Sequence, residues 1–110
     1  MSVLRLLKPN EWPGASAGSG PYRHLYVIQE GNDGPVKIGV AANAACRRVS
    51  LQAGNPRPIV LRAVFVCENK PRAGAMERAV HAHFADARVV NEWFDVTPEV
   101  VRDFILENFC

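Results

Sequence analysis

A β-hairpin signal constrains the fold of this chain more than any other feature. Residues 24–40 read HLYVIQEGNDGPVKIGV, in which two short runs, LYVI and VKIGV, flank the turn-forming segment GNDGP. Apolar and β-branched runs on either side of such a segment predict two paired strands. Because side chains alternate across a strand, Tyr26 and Ile28 should lie on one face and Leu25 and Val27 on the other. One face must meet a core, and the other can carry chemistry.

The polar side chains of this hairpin, Tyr26 and Lys37, lie near the middle of each strand rather than at the turn. A single strand tyrosine is ordinarily a half-buried packing residue. Tyr26 by itself therefore indicates no function.

The composition predicts one small domain. The chain has 110 residues, of which 48% are hydrophobic and 22% charged. No apolar run approaches the roughly 20 residues of a membrane span, and residues 1–7 are too short for a secretory signal. We therefore expect a cytoplasmic protein with no membrane association. Three widely spaced cysteines without a C-x-x-C pair predict reduced thiols rather than disulfides or a zinc site.

The charge distribution is uneven along the chain. Residues 41–85 carry seven basic and two acidic side chains, a net of +5, whereas residues 86–110 carry two basic and six acidic ones, a net of −4. A basic middle is compatible with binding a polyanion such as nucleic acid. Scattered arginines on a small domain are usually just solvated, so the signal is weak by itself.

Residues 1–22 predict a flexible arm or linker in front of a folded domain over residues 23–110. Glycine, serine and proline are dense in the second half of this arm. The apolar and basic run at residues 3–8 fits either an added edge strand or a segment that binds a partner, and the sequence leaves both open.

The remaining elements predict an α+β fold. A helix should cover the segment 43–53, with Asn43 as its N-cap, and a central strand should follow at residues 59–67. A second helix should cover residues 72–85, and a third should start after Thr97 as its N-cap. The predicted architecture is a small three-stranded mixed or antiparallel sheet, made of the hairpin and the central strand, flanked by about three helices.

Three helical residues carry possible chemistry. Glu77 and His81 are four apart and stack on one flank of their helix. Taken alone, Glu77 is equally well explained as a surface partner of His81, and His81 as a structural histidine. Arg47 lies one turn from a core-facing leucine and could reach the sheet, although most helical arginines are solvated. If the helix register differs by one residue, Arg48 would take the position expected for Arg47.

Five short motifs follow one another along the chain: LYVI at 25–28, KIG at 37–39, Arg47 followed by LQAGNP at 51–56, Glu77 with His81, and EWF at 92–94. In this order and spacing they resemble the GIY-YIG nuclease superfamily. They are more narrowly similar to a divergent branch, found in phage, bacterial and fungal open reading frames, in which the second signature reads KIG. The resemblance covers roughly residues 24–105.

This resemblance implies a metal-dependent endonuclease that hydrolyses phosphodiester bonds, with DNA as the expected substrate. Glu77 would be the sole protein carboxylate on a Mg²⁺ or Mn²⁺ ion. Tyr26 would orient or deprotonate the attacking water, Arg47 would hold the scissile phosphate, and His81 would take part in proton transfer. As a base, Tyr26 would need a nearby cation, because an unperturbed phenol has a pKa near 10.

Lys37 departs from the better-known branches, which have a second tyrosine at this position. Its charge could lower the pKa of Tyr26 and bind phosphate, or its presence could mean that water activation is lost. Asn91 and Glu92 are candidates, by order only, for the asparagine that closes the site in other branches. The expected nucleic-acid-binding residues are Lys37, Arg47, Arg48 and Arg57.

Two alternatives to the nuclease remain open. Lys37 and the basic middle favour a catalytically inactive nucleic-acid-binding module on the same scaffold. The apolar character of residues 1–7 favours a protein-interaction domain.

Overall fold

The structure is a computed structural model that describes residues 4–12, 14 and 22–110. Its described part forms one six-stranded antiparallel sheet with the strand order β1-β4-β2-β3-β6-β5, flanked by three α-helices. The strands are β1 (Leu4–Leu6), β2 (Arg23–Glu30), β3 (Val36–Ala41), β4 (Ile59–Cys67), β5 (Arg88–Val90) and β6 (Trp93–Phe94). The helices are α1 (Ala44–Ala53), α2 (Lys70–His83) and α3 (Pro98–Phe109), with short 3-10 helices at Pro9–Glu11 and Ala85–Ala87.

The predicted α+β class is confirmed, but the prediction of a three-stranded sheet was wrong. The three additional strands, β1, β5 and β6, are only two or three residues long. Strands this short show no readable periodicity and are defined only by their pairing with longer neighbours. The hairpin and β4 make up the middle of the sheet, as predicted.

The two faces of the hairpin meet different cores. Leu25 and Val27 pack in a buried cluster with residues of α2 and α3. Tyr26 and Ile28 pack in a second cluster on the other face, together with Ala44 of α1. The predicted alternation is therefore confirmed, and α1 covers one face of the sheet while α2 and α3 cover the other.

The first described strand, β1, pairs antiparallel with β4 and places Leu4 opposite Cys67. The run at the start of the chain thus forms an edge strand, which is one of the two alternatives left open by the sequence. Most of the predicted flexible arm, residues 1–3, 13 and 15–21, lies outside the described residues, and its flexibility stays a prediction.

Local capping explains where the helices begin. The Asn43 side chain accepts the N–H of Cys46 at 3.0 Å, and Thr97 Oγ1 accepts the N–H of Val100 at 3.3 Å, which confirms both predicted N-caps. Helix α2 begins two residues before the predicted start, because the Asn69 side chain accepts the Arg72 N–H and caps it. None of the described helices combines the length and apolar character required to cross a membrane. All three cysteines are free thiols.

Candidate functional site

Tyr26 lies across the hairpin on the face covered by α1. It pairs with Gly39, and a Cβ added at that glycine would be 2.6 Å from Cζ of the tyrosine ring. The ring therefore extends from β2 over the backbone of β3. Tyr26 is only 2% exposed, so its surroundings fix its position. The glycine of the KIG signature thus provides the space that the phenol needs.

The outer edge of β3 is only partly paired with another strand. β6 pairs with Val36 and Lys37, and the N–H of Ile38 donates to the carbonyl of Glu92 at 3.1 Å. Beyond Ile38 the outer edge of β3 pairs with no strand in the described residues, and side chains of helix α2 lie beside it. Between Ile38 and Val40 the edge of β3 therefore faces side chains of α2 and no further strand of the described sheet. We call this stretch the open edge of β3.

Helix α2 packs on the opposite face of the sheet, but two of its side chains reach this open edge. Nε2 of His81 contacts the carbonyl oxygen of Ile38 at 2.8 Å, and the Glu77 carboxylate bonds to the backbone of Val40. Because a carbonyl only accepts, Nε2 must carry the hydrogen, and in the neutral ring Nδ1 keeps its lone pair. These two bonds bring Glu77 and His81 to the edge beside the Tyr26 face.

Glu92 joins Glu77 and His81 from the turn between β5 and β6. One ligand atom of each of these three residues lies within 4.8 Å of the other two. The turn contains Asn91 at φ 50°, a left-handed conformation that asparagine tolerates better than most residues. Burial raises the pKa of Glu77, and the nearby carboxylate of Glu92 raises it further. A cation held between the two carboxylates would offset this repulsion.

Lys37 and Arg47 supply positive charge in different ways. Nζ of Lys37 forms an ion pair with Oε2 of Glu92 at 2.8 Å and lies 5.8 Å from the centre of the Trp93 ring. Arg47 is exposed on α1, and its guanidinium has no hydrogen bond or ion pair with any residue that the structure describes. Its charge nevertheless lowers the pKa of Tyr26, so it lies on the same side as the phenol. Arg47 is available for a ligand, whereas Lys37 is already engaged.

The phenol of Tyr26 is held in its protonated form. Burial raises its pKa well above the ordinary value, the charges of Glu92 and Glu77 raise it further, and Arg47 opposes them only in part. Lys37, which could have lowered this pKa, is paired with Glu92 instead. At neutral pH the hydroxyl of Tyr26 is a hydrogen-bond donor and not a base.

Two of the predicted nucleic-acid-binding residues lie away from this group. Arg48, about 100° further around α1, lines a groove beside Trp12 and β4. Arg57 lies near the hairpin turn, where it forms ion pairs with Glu30 at 3.0 Å and Asp33 at 3.7 Å. The structure therefore brings together Tyr26, Lys37, Arg47, Glu77 and His81, and separates Arg48 and Arg57 from them.

Sequence reasoning placed Glu92 only by its order in the chain and did not assign a role to Gly39. A glycine inside a strand often marks a close approach of another group, which is the signal that could have identified Gly39. No local pattern could have identified the contact of Glu92 with α2, because the two are brought together by the β5–β6 hairpin. Asn91, the other candidate by order, is an exposed turn residue.

Comparison with known proteins identifies a family. The model of the T5orf172 domain matches residues 23–109, which include β2 to β6, all three helices and every residue of the site. This family is known from phage and bacterial open reading frames and is related to GIY-YIG-like nucleases. No curated protein and no solved structure matches the chain significantly. The family match spans most of the chain, and the protein therefore belongs to the T5orf172 domain family.

Proposed function

We propose that this protein is a metal-dependent endonuclease domain of the KIG-type branch of the GIY-YIG superfamily, and that it hydrolyses phosphodiester bonds in DNA. The relation of its family to GIY-YIG-like nucleases supports a nucleic-acid-related function. The observation that carries the proposal is the position of Glu77. Its helix packs on one face of the sheet, yet its carboxylate reaches the open edge of β3, near the phenol of Tyr26.

Glu77 is the residue that would hold a Mg²⁺ or Mn²⁺ ion. Its carboxylate oxygen is the type of ligand that these hard cations prefer, and it forms no ion pair with any lysine or arginine in the described ranges. Burial, and after it the charge of Glu92, raise the pKa of Glu77, and a divalent cation beside the carboxylate would favour its charged form. When bound, such an ion would stabilise the negative charge that develops on the leaving oxygen.

Arg47 would hold the phosphate that is cleaved. Its exposed guanidinium faces the same side as Tyr26 and has no partner within the described part of the chain. A guanidinium donates two parallel hydrogen bonds to phosphate oxygens and remains charged at every working pH. It would therefore fix the scissile group and stabilise charge in the transition state.

Tyr26 would orient the attacking water, and His81 would accept its proton. Tyr26 keeps its proton at neutral pH, so it would orient the water or a phosphate oxygen by donating a hydrogen bond. His81 donates from Nε2 to the Ile38 carbonyl, which leaves Nδ1 able to accept a proton. In the hydrolysis the water oxygen would form a new bond to phosphorus and Nδ1 would take the water proton. One P–O ester bond would break, and its electron pair would stay on the leaving oxygen, which would take a proton from solvent.

A second candidate is an inactive nucleic-acid-binding module on the same scaffold. Its support is that Lys37 occupies the position of a second tyrosine and that the remaining tyrosine is a poor base. A protein-interaction domain loses its support, because Leu4 and Leu7 at the start of the chain are buried within the protein's own cores.

The test is nicking of supercoiled plasmid in Mg²⁺ or Mn²⁺ by the wild type and by Glu77→Gln. We expect cleavage by the wild type and a loss of about 100-fold or more in the variant, since removing one transition-state-stabilising group typically costs this much. Glu107→Gln, on the exposed side of α3, removes the same charge far from the site and should retain activity. If all three proteins bind DNA and none of them cleaves it, the inactive module is supported and the nuclease is refuted.

A further inference from the structure

We propose that Glu92 is a second metal-ligating carboxylate, that Lys37 is its counter-ion while no divalent cation is bound, and that metal binding releases Lys37 to the phosphate of the nucleic acid. This inference rests on the proposed function and deepens it. It makes Lys37 the group that couples occupation of the metal site to substrate binding, instead of a residue that merely replaces a tyrosine.

The first step of the argument is that Glu92 has two competing uses. One of its oxygens contacts Nζ of Lys37 at 2.8 Å. The same residue offers an oxygen within 4.8 Å of ligand atoms of both Glu77 and His81. A carboxylate that neutralises a lysine is a weaker ligand for a cation, because the lysine charge repels the incoming ion.

The second step is the balance of charge. Without a cation, the charged forms of Glu77, Glu92 and Lys37 together carry one net negative charge, and of the two carboxylates only Glu92 is ion-paired with Lys37. A divalent cation between the carboxylates would reverse that sign, and Lys37 would then be a positive charge beside a positive centre. Because the Lys37 side chain is only 13% exposed, bulk water cannot screen this repulsion fully.

The third step is the position of Lys37. It lies two residues before Gly39 on β3, and side chains two apart point to the same face of a strand. Its ammonium is therefore on the same side as Tyr26, where the phosphate would be held. The Trp93 ring, 5.8 Å away, limits the directions in which the side chain can turn. A released ammonium would then be free to pair with the phosphate held on this side of the sheet.

The experiment measures Mn²⁺ binding by the full chain without nucleic acid, from the loss of the electron paramagnetic resonance signal of free Mn²⁺. Lys37→Met removes the competing charge and should lower the Mn²⁺ Kd by about fivefold, the upper end of what losing such an ion pair gives. Arg102→Met removes one positive charge from α3 and is the matched control, expected to change this Kd less than about twofold.

The same measurement in a Glu92→Gln background tests the exchange, meaning the replacement of Lys37 by the metal ion as the partner of Glu92. Glu92→Gln should weaken Mn²⁺ binding, and adding Lys37→Met to it should then give a clearly smaller gain than in the wild-type background, because only the direct repulsion between Lys37 and the ion is left to relieve. An equal gain from Lys37→Met in both backgrounds, or no gain in either, would overturn the proposal. Circular dichroism of each variant checks that the fold is intact, and Lys37→Gln serves if Lys37→Met does not fold.

A second measurement tests the release of Lys37 to the phosphate. Ca²⁺ should strengthen binding of a fluorescent DNA duplex by the wild type at least fivefold more than by Lys37→Met; an equal Ca²⁺ effect on both would refute this step. Failure of the exchange differs from failure of the proposed function. If no Mn²⁺ binds in a way that Glu77→Gln abolishes, both proposals fall. If such binding exists but does not respond to Lys37→Met, only the exchange falls.

Discussion

The contact between Tyr26 and Gly39 gives the most exacting test of the site's construction. Gly39→Ala would place a methyl group 2.6 Å from Cζ and 3.2 Å from Cε1 of the tyrosine ring. The first distance is shorter than carbon atoms tolerate, and the second is tight enough to require a small shift. The ring has little room to rotate away, since Tyr26 is only 2% exposed and packs in the core beneath α1. The substitution must therefore displace either the ring or strand β3.

The magnitude follows from two opposing effects. Overpacking a well-filled core typically costs about 1–3 kcal/mol. Gly39 lies in ordinary strand backbone, so replacing glycine by alanine returns up to about 1 kcal/mol by restricting the unfolded chain. We expect a net loss of about 1–2 kcal/mol in the free energy of unfolding. For a domain of this size that corresponds to a fall of about 5–10 °C in Tm.

Urea and thermal unfolding measure this loss. Gly54→Ala is the matched control, because its nearest contact is a backbone oxygen at 4.0 Å and its φ is −99°. It should change stability by less than about 0.5 kcal/mol. In a Tyr26→Leu background, which lacks the colliding atoms, Gly39→Ala should cost almost nothing. If Gly39→Ala is as harmless as Gly54→Ala in the wild-type background, the ring does not lie over β3 and the site is not built as described.

Three further predictions concern α1 and the site. Arg47→Ala should slow plasmid nicking at least tenfold more than Arg48→Ala, because the charge of Arg47 acts on Tyr26 whereas Arg48 lines the groove beside Trp12 and β4; similar losses in both would contradict this. Asn43→Ala should cost about 1 kcal/mol in urea unfolding, since it removes the N-cap of α1, and an unchanged midpoint would be the opposing result. Burial lowers the pKa of His24, whose Nδ1 accepts the Ala44 N–H at 3.0 Å, below its ordinary 6.5. As the pH falls, the unfolded chain therefore binds a proton at His24 before the folded chain does. The contribution of the neutral His24 to the free energy of unfolding should be complete above pH 6.5 and should be lost as the pH falls below 6.5 toward the lowered pKa. His24→Asn, which keeps an acceptor but does not titrate, should lose less stability than the wild type between pH 7 and pH 5.

The hairpin and the helix starts could be predicted because their causes are local. The alternation of Leu25 to Ile28 set the two faces, and Asn43 and Thr97 cap the helices that follow them. The start of α2 was predicted two residues late, although Asn69 followed by a proline in the first turn is itself a helix signal. The signal for the earlier start of α2 is therefore local and present in the sequence.

The full sheet and the edge of β3 could not be predicted in the same way. β1, β5 and β6 owe their order to partners that are distant in the chain, such as the pairing of Lys37 with Trp93. The same distant pairing puts Glu92 beside Lys37 and so allows the ion pair that engages Lys37. A residue's charge could be read from the sequence, but its partner depended on tertiary contacts.

The measurement that tests the central claim most directly is a crystal structure of the protein with Mn²⁺, using anomalous scattering to locate the ion. The account predicts one strong peak within coordination distance of a Glu77 oxygen, at the open edge of β3 between Ile38 and Val40 and facing Tyr26. A peak bound elsewhere, with Glu77 left in contact with the backbone of Val40 alone, would contradict it.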